Sequence, residues 1–268
     1  MTVDRPEVAS HVPDGPVPSS EEGRWLLDLV KVMARLRAPG GCPWDREQTH
    51  RTLGRHLLEE AHELLEAIDR DDEDAIRDEL GDLLLQVVFH AGIASDDGRW
   101  DVDDVARRLV EKLVHRHPHV FGDVEVSGPE EVLTNCEQLK AEEAGGRTEV
   151  DEGIPATLPA LARAAKVQRR AAGWGVEWPD REAALSALRE EVEGLSDAPD
   201  DPEREIGEVL FAAVAAARKL GVDAETALRR TTGDFAARYE GFMTEGGNDR
   251  TDVGEDDVGR LFRAARRS

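Results

Sequence analysis

The sequence predicts an all-α protein made of two helical bundles in tandem, and three observations lead there. Apolar residues recur with helical spacing along almost the whole chain, and no stretch alternates as a half-buried strand does. Gly, Pro and acidic clusters cut that pattern into helix-sized pieces. The two halves also read as copies. Trp44-Asp45-Arg46-Glu47, then Leu58-Glu59-Glu60, then Glu79-Leu80-Gly81-Asp82, return as Trp178-Pro179-Asp180-Arg181-Glu182, Arg189-Glu190-Glu191 and Glu205-Ile206-Gly207-Glu208. A repeat of that length means a duplicated helical unit rather than a short-period solenoid.

Taken in order, residues 1–20 are rich in Pro, Ser and Asp and read as a disordered tail. The first domain spans 21–143. Its first helix carries Trp25, Leu29, Val32, Met33 and Leu36 on one stripe and stops at Ala38-Pro39-Gly40-Gly41. A second helix is expected from Asp45, which forms a capping pair with Gln48, to about Asp69, with a possible interruption at Gly54. A third runs from Asp72 to Ala94, and a fourth from Val102 to His117, where Pro118 ends it. His115, His117 and His119 alternate across that proline and mark a loop boundary. A fifth helix follows Pro129. Residues 144–153 have the composition of a hinge. The second domain, 154–242, holds four helices near 157–172, 180–196, 203–220 and 223–242, and 243–268 reads as an acidic, flexible tail with a short basic end.

Composition narrows the function. Among 268 residues, 58 are acidic and 34 basic, a formal charge of −24. That balance argues against nucleic-acid binding, which needs a basic footprint. It leaves open a phosphate substrate that arrives with a metal ion. Cys42 and Cys136 are too few for a disulfide framework, and no apolar run reaches membrane-span length. A soluble, cytoplasmic protein is the expectation.

The acidic residues are not scattered. Glu60 and Glu63 lie about 60° apart on one helix, as do Glu79 and Asp82 on the next. Two antiparallel helices would bring the four carboxylates together, which is how a bundle builds an oxygen-ligand site for a hard divalent cation. Glu79, Asp82, Gln86 and His90 form one polar stripe on a helix otherwise lined by Leu80, Leu83, Leu84, Leu85, Val87, Val88 and Phe89. Such a helix is buried on several sides, so the stripe faces either solvent or an internal polar space. Lys112 and Arg116 sit one turn apart on the fourth helix, as phosphate-binding cations or as complements to its dipole. Trp44 precedes the carboxylates and either stacks on a base or packs in the core.

Glu59-Glu60-x-x-Glu63 followed by Glu79-x-x-Asp82 resembles the signature of the MazG family of all-α nucleoside triphosphate pyrophosphohydrolases. Gly41-Cys42-Pro43-Trp44-Asp45 and Arg116-His117-Pro118-His119-Val120-Phe121-Gly122-Asp123 match its flanks. The likeness covers 22–143 strongly and 154–242 more weakly. It implies magnesium-dependent cleavage of a nucleoside triphosphate between its α and β phosphates, in a homodimeric helical bundle. Carried over, Glu60, Glu63, Glu79 and Asp82 are metal ligands, and Glu59 is a further ligand or positions water. Lys112 and Arg116 lie near the phosphates. Four carboxylates and a triphosphate carry roughly −8 together, so two or more Mg²⁺ ions are expected, with Mn²⁺ as a substitute.

The second copy departs from this pattern. Gly194 stands at the position of Glu63, Glu208 at that of Asp82, Ala212 and Ala216 at those of Gln86 and His90, and Asp234 at that of Lys112. The first copy is therefore expected to be catalytic. Two other readings fit parts of the pattern: a ferritin-like carboxylate centre, which wants a second Glu-x-x-His beside Glu59-x-x-His62, and a non-catalytic nucleotide-binding scaffold.

Overall fold

The computed structural model describes residues 23–128, 149–196, 201–246 and 254–262, with 131, 132, 135, 136 and 139. The expected N-terminal tail, most of the fifth helix and residues 144–148 lie outside that set. Every regular element among the described residues is a helix. The chain divides into two compact units, residues 1–140 and 141–268.

In the first unit, α1 (Arg24–Arg37) lays Leu29, Val30, Met33 and Leu36 against α4 (Glu73–Asp96). The rest of its apolar stripe is not used in this way, since Trp25 and Val32 are exposed. After α1 the chain turns back on itself, with Cys42 N–H donating to Leu36 O. A Cβ at Gly41 would stand 2.1 Å from that same oxygen, so the turn admits only glycine.

The expected long helix from Asp45 is two helices. A short α2 (Pro43–Glu47) ends at Gln48, and α3 (His50–Asp69) starts anew. Gln48 and Thr49 are both extended, and Thr49 and Thr52 form a reciprocal capping box. Gln48 secures the corner, donating to Trp44 O at 2.9 Å and accepting from Thr52 Oγ1 at 2.9 Å. The hydroxyl cap, not the Asp45–Gln48 pair, sets the helix start. Gly54 lies inside α3 without interrupting it.

The helices α3 and α4 form a hairpin across Arg70–Asp72, where Asp71 takes a left-handed φ of 52° and Asp72 caps α4 through Ala75 N–H. Leu53, Met33, Val88, Phe89 and Ile93 make the core. Val88, Phe89, Ala91, Ile93 and Ala94 near the C-terminal end of α4 are buried, whereas Leu80, Leu84 and Val87 stay exposed. Asp101 and Asp104 box the start of α5 (Val102–Arg116), which buries no residue fully and leaves Leu109, Val110 and Leu113 exposed. The short α6 (Pro118–Phe121) follows.

The second unit repeats the hairpin with α8 (Arg181–Ser196) and α9 (Pro202–Lys219), and α7 (Ala160–Gly173) packs on α9. Ala165, Ala184, Val214, Ala215 and Ala216 form its small-residue core. Next comes α10 (Ala224–Gly246), which extends past residue 242. Within the stretch read as flexible tail, α11 (Glu255–Phe262) docks on α10. Leu261 is buried, and the Phe262 ring lies 4.9 Å from that of Phe235.

Candidate active site

The α3–α4 hairpin puts Glu60 on one helix opposite Glu79 and Asp82 on the other. One carboxylate oxygen from each lies within 4.8 Å of the other two. Glu63 is outside this trio, but its charge bears on both Glu60 and Glu79. Burial is the largest influence holding the Glu60 carboxyl above its ordinary range, followed by Asp82, Glu63 and Glu79, with His56 opposing. Burial again leads for Glu79, followed by Glu63, Asp82 and Asp78, with Arg70 opposing. Like charges so close raise one another unless a cation sits among them.

A second observation points the same way. Glu79 Oε2 is sealed from solvent and has no hydrogen-bond partner among the described residues. An ionised oxygen left so costs free energy, and a hard cation with oxygen ligands would satisfy it. The residues present therefore fit a divalent ion of the magnesium type.

The polar stripe of α4 turns inward as it rises. Asp82 is exposed, Gln86 is buried and His90 is half-buried, and Gln86 Oε1 and His90 Nε2 both lie out of solvent. Glu59, Lys112, Arg116 and Trp44 are not part of the trio. Glu59 Oε2 lies 3.0 Å from His56 Nδ1 on its own helix. Lys112 lines an open groove of about 1010 Å³ with Arg99, Trp100, Asp104 and Arg108. Arg116 is half-buried near the end of α5, and its carbonyl accepts from Cys136 Sγ at 3.8 Å. The exposed Trp44 sets its ring edge-on to His56 and Phe89, at 6.1 and 6.3 Å.

Sequence reasoning missed a second polar group. His50 lies beside His90 with the two rings within 8° of parallel, the Trp100 ring lies 5.9 Å from that of His50 within 16° of parallel, and Arg99 Nη2 lies 3.2 Å from His50 Nε2. His50 follows the Thr49 cap and Trp100 precedes the Asp101 cap. Both lie at helix ends, where periodicity gives no facing direction.

A helical hairpin that converges three carboxylates and orphans one buried oxygen defines an all-α protein with a candidate divalent-cation centre. Known proteins make the class specific. The model of the MazG nucleotide pyrophosphohydrolase domain matches residues 48–121, which hold the entire trio. The nucleoside triphosphate pyrophosphohydrolase/pyrophosphatase MazG of Thermotoga maritima is 44% identical over 223 residues, 82% of this chain and 86% of that protein. The nucleoside triphosphate pyrophosphohydrolase of Escherichia coli K12 is 42% identical over 221 residues, covering 79% and 84%. That of Mycobacterium tuberculosis is 45% identical over 156 residues, covering 58% and 47%. The chain belongs to the MazG nucleotide pyrophosphohydrolase family, enzymes that hydrolyse phosphoanhydrides.

Proposed function

We propose that this chain is a Mg²⁺-dependent nucleoside triphosphate pyrophosphohydrolase whose first domain, residues 21–143, is catalytic. The observation that carries the reading is the trio Glu60, Glu79 and Asp82 with its partnerless buried oxygen. Those three with Glu63 would hold the ions, for which Mn²⁺ can substitute. A hard divalent cation supplies charge neutralisation and Lewis acidity there. Water attacks the α phosphorus, the α–β bridging bond breaks, and the products are a nucleoside monophosphate and pyrophosphate.

The remaining roles follow from side-chain chemistry. Glu59, already paired with His56, orients the attacking water or adds a ligand. Lys112 and Arg116 hold phosphate oxygens and offset charge that develops on them. Half the surface of Trp44 is free to stack on a base. Leu80, Leu84 and Val87 on α4, with Leu109 and Leu113 on α5, leave apolar faces that a homodimer would cover. No described helix is long and apolar enough to cross a membrane, and we place the protein in the cytoplasm, clearing aberrant nucleotides.

The test is incubation with Mg²⁺ and mixed nucleoside triphosphates, followed by product analysis. Pyrophosphate with monophosphate is expected, and Glu63→Ala or Asp82→Ala should abolish it while leaving helix content unchanged. Orthophosphate with diphosphate, or no turnover, would overturn the reading. Glu208→Ala should leave the rate within about twofold; a large loss would place catalysis in the second unit.

A further inference from the structure

The second hairpin also gathers three carboxylates. Oxygens of Glu191, Glu205 and Glu208 lie within 4.8 Å of one another, on the positions that match Glu60, Glu79 and Asp82. Here, however, two of the three carboxylates already share a cationic partner. Arg204 Nη1 donates to Glu208 Oε1 at 2.7 Å, and its Nη2 donates to Glu205 Oε1 at 2.5 Å. One guanidinium thus bridges the two α9 carboxylates that correspond to the α4 ligand pair. In the first unit the residue at this place is Asp78, whose charge adds to the pressure on Glu79.

The substitution reverses the local electrostatics. Glu60, Glu63, Asp78, Glu79 and Asp82 are all acidic, whereas the matching set is Glu191, Gly194, Arg204, Glu205 and Glu208. Gly194 removes one carboxylate beside the trio, since a Cβ there would stand 3.7 Å from Glu205 Oε2. The phosphate-side residues have changed as well. Asp234 replaces Lys112, and Arg238, one turn on as Arg116 is, donates from Nε to Leu261 O at 3.2 Å in the last turn of α11.

We propose that Arg204 is a built-in replacement for the metal ion, so that the second unit is a permanently closed, metal-free copy and divalent cations bind the chain only through the first. A guanidinium fork suits this role because it spans two carboxylates and keeps its charge at all working pH values. It also explains how the acidic trio survives in a unit that has lost a ligand: Arg204 neutralises the two α9 carboxylates from within their own helix, without any ion. The proposal concerns binding and is independent of whether the first unit hydrolyses nucleotides.

The test uses the full chain and Mn²⁺ alone, with bound ion read by electron paramagnetic resonance and folding by circular dichroism. In a Glu60→Gln/Glu79→Gln background, Mn²⁺ binding should vanish at concentrations that saturate the parent. Adding Arg204→Asp with Gly194→Glu should restore one ion, at least about tenfold tighter than in that background, and Mn²⁺ should then raise the melting temperature. The milder Arg204→Gln should lower the metal-free melting temperature and recover part of it with Mn²⁺. The proposal is overturned if the background chain keeps a bound ion that Glu205→Gln removes. It is equally overturned if the folded Arg204→Asp/Gly194→Glu and Arg204→Gln chains take up none.

Discussion

His50 Nδ1 lies 2.7 Å from His90 Nδ1, and the two rings stand 5.0 Å apart within 8° of parallel. Arginine can only donate, so the Arg99 contact makes His50 Nε2 an acceptor and puts the His50 proton on Nδ1. His50 then donates to His90 Nδ1, which leaves the His90 proton on Nε2, sealed from solvent. Burial, and then the neighbouring His50, holds the His90 pKa below its ordinary 6.5. Because the unfolded chain takes up this proton first, stability should be complete above pH 6.5 and fall as pH drops below it toward the folded-state value. Nitrogen-15 NMR should find neutral His90 protonated on Nε2 and titrating below 6.5; a neutral His90 protonated on Nδ1, or one titrating above 6.5, would refute the relay.

The carboxylates titrate in the opposite sense. Glu60 and Glu79 bind protons more tightly folded than unfolded, so their contribution favours the fold below the ordinary carboxyl value of 4.5 and weakens as pH rises through their raised values. A bound cation relieves that repulsion. Added Mg²⁺ should therefore raise the melting temperature more near neutral pH than at pH 4.5, and Glu79→Gln should shrink the effect. An equal Mg²⁺ shift at both pH values would contradict the raised carboxyls.

The acidic motif was legible because a helix converts sequence spacing into direction: Glu79, Asp82, Gln86 and His90 could fall only on one stripe. What that stripe faced was not legible, since inward burial of Gln86 depends on α1 and α3 closing around α4. The break at Gln48–Thr49 was misread because Asp45 with Gln48 and Thr49 with Thr52 are both plausible caps, and only tertiary packing chooses between them. His50 and His90 are 40 residues apart, beyond any local pattern. The docking of α11 rests on Leu261 and Phe262, too short a run to show a period.

Leu53 is almost wholly enclosed among Met33, Val88, Phe89 and Ile93, where α3 meets α1 and α4. Leu53→Ala should cost about 2–5 kcal/mol, and Leu53→Met less than about 1.5 kcal/mol. Urea unfolding with an unchanged m-value would show that the loss is one of stability alone.

Lys112 lines the groove with Arg99, Trp100 and Arg108 and is exposed. If it holds substrate phosphate before and during reaction, Lys112→Ala should raise KM for the nucleoside triphosphate about tenfold with a smaller change in kcat. Lys112→Arg should recover most of that loss, since charge rather than shape is the requirement. A fall in kcat at unchanged KM would move Lys112 from binding to transition-state stabilisation.

Arg37 is the anchor that sets α2 against the hairpin. Its side chain is only 7% exposed; Nε and Nη2 reach Asp96 Oδ2 at 2.9 and 2.8 Å, and Nη1 donates to Asp45 O. Its guanidinium also lies 5.5 Å from the centre of the Phe89 ring, to which the Trp44 ring stands nearly perpendicular. The partners are unequal. Asp96 is more than half exposed, so the ion pair itself is screened, and Asp96→Ala should cost less than about 1 kcal/mol. The Asp45 carbonyl instead accepts from a guanidinium that is itself buried, so Arg37→Met, which removes that donor, should cost about 1–3 kcal/mol. Arg37→Lys keeps the charge but cannot fork to both partners, and should fall between the two. Comparing the three by chemical unfolding separates charge from geometry: if Asp96→Ala proved as damaging as Arg37→Met, the ion pair rather than the carbonyl contact would be what holds α2 in place.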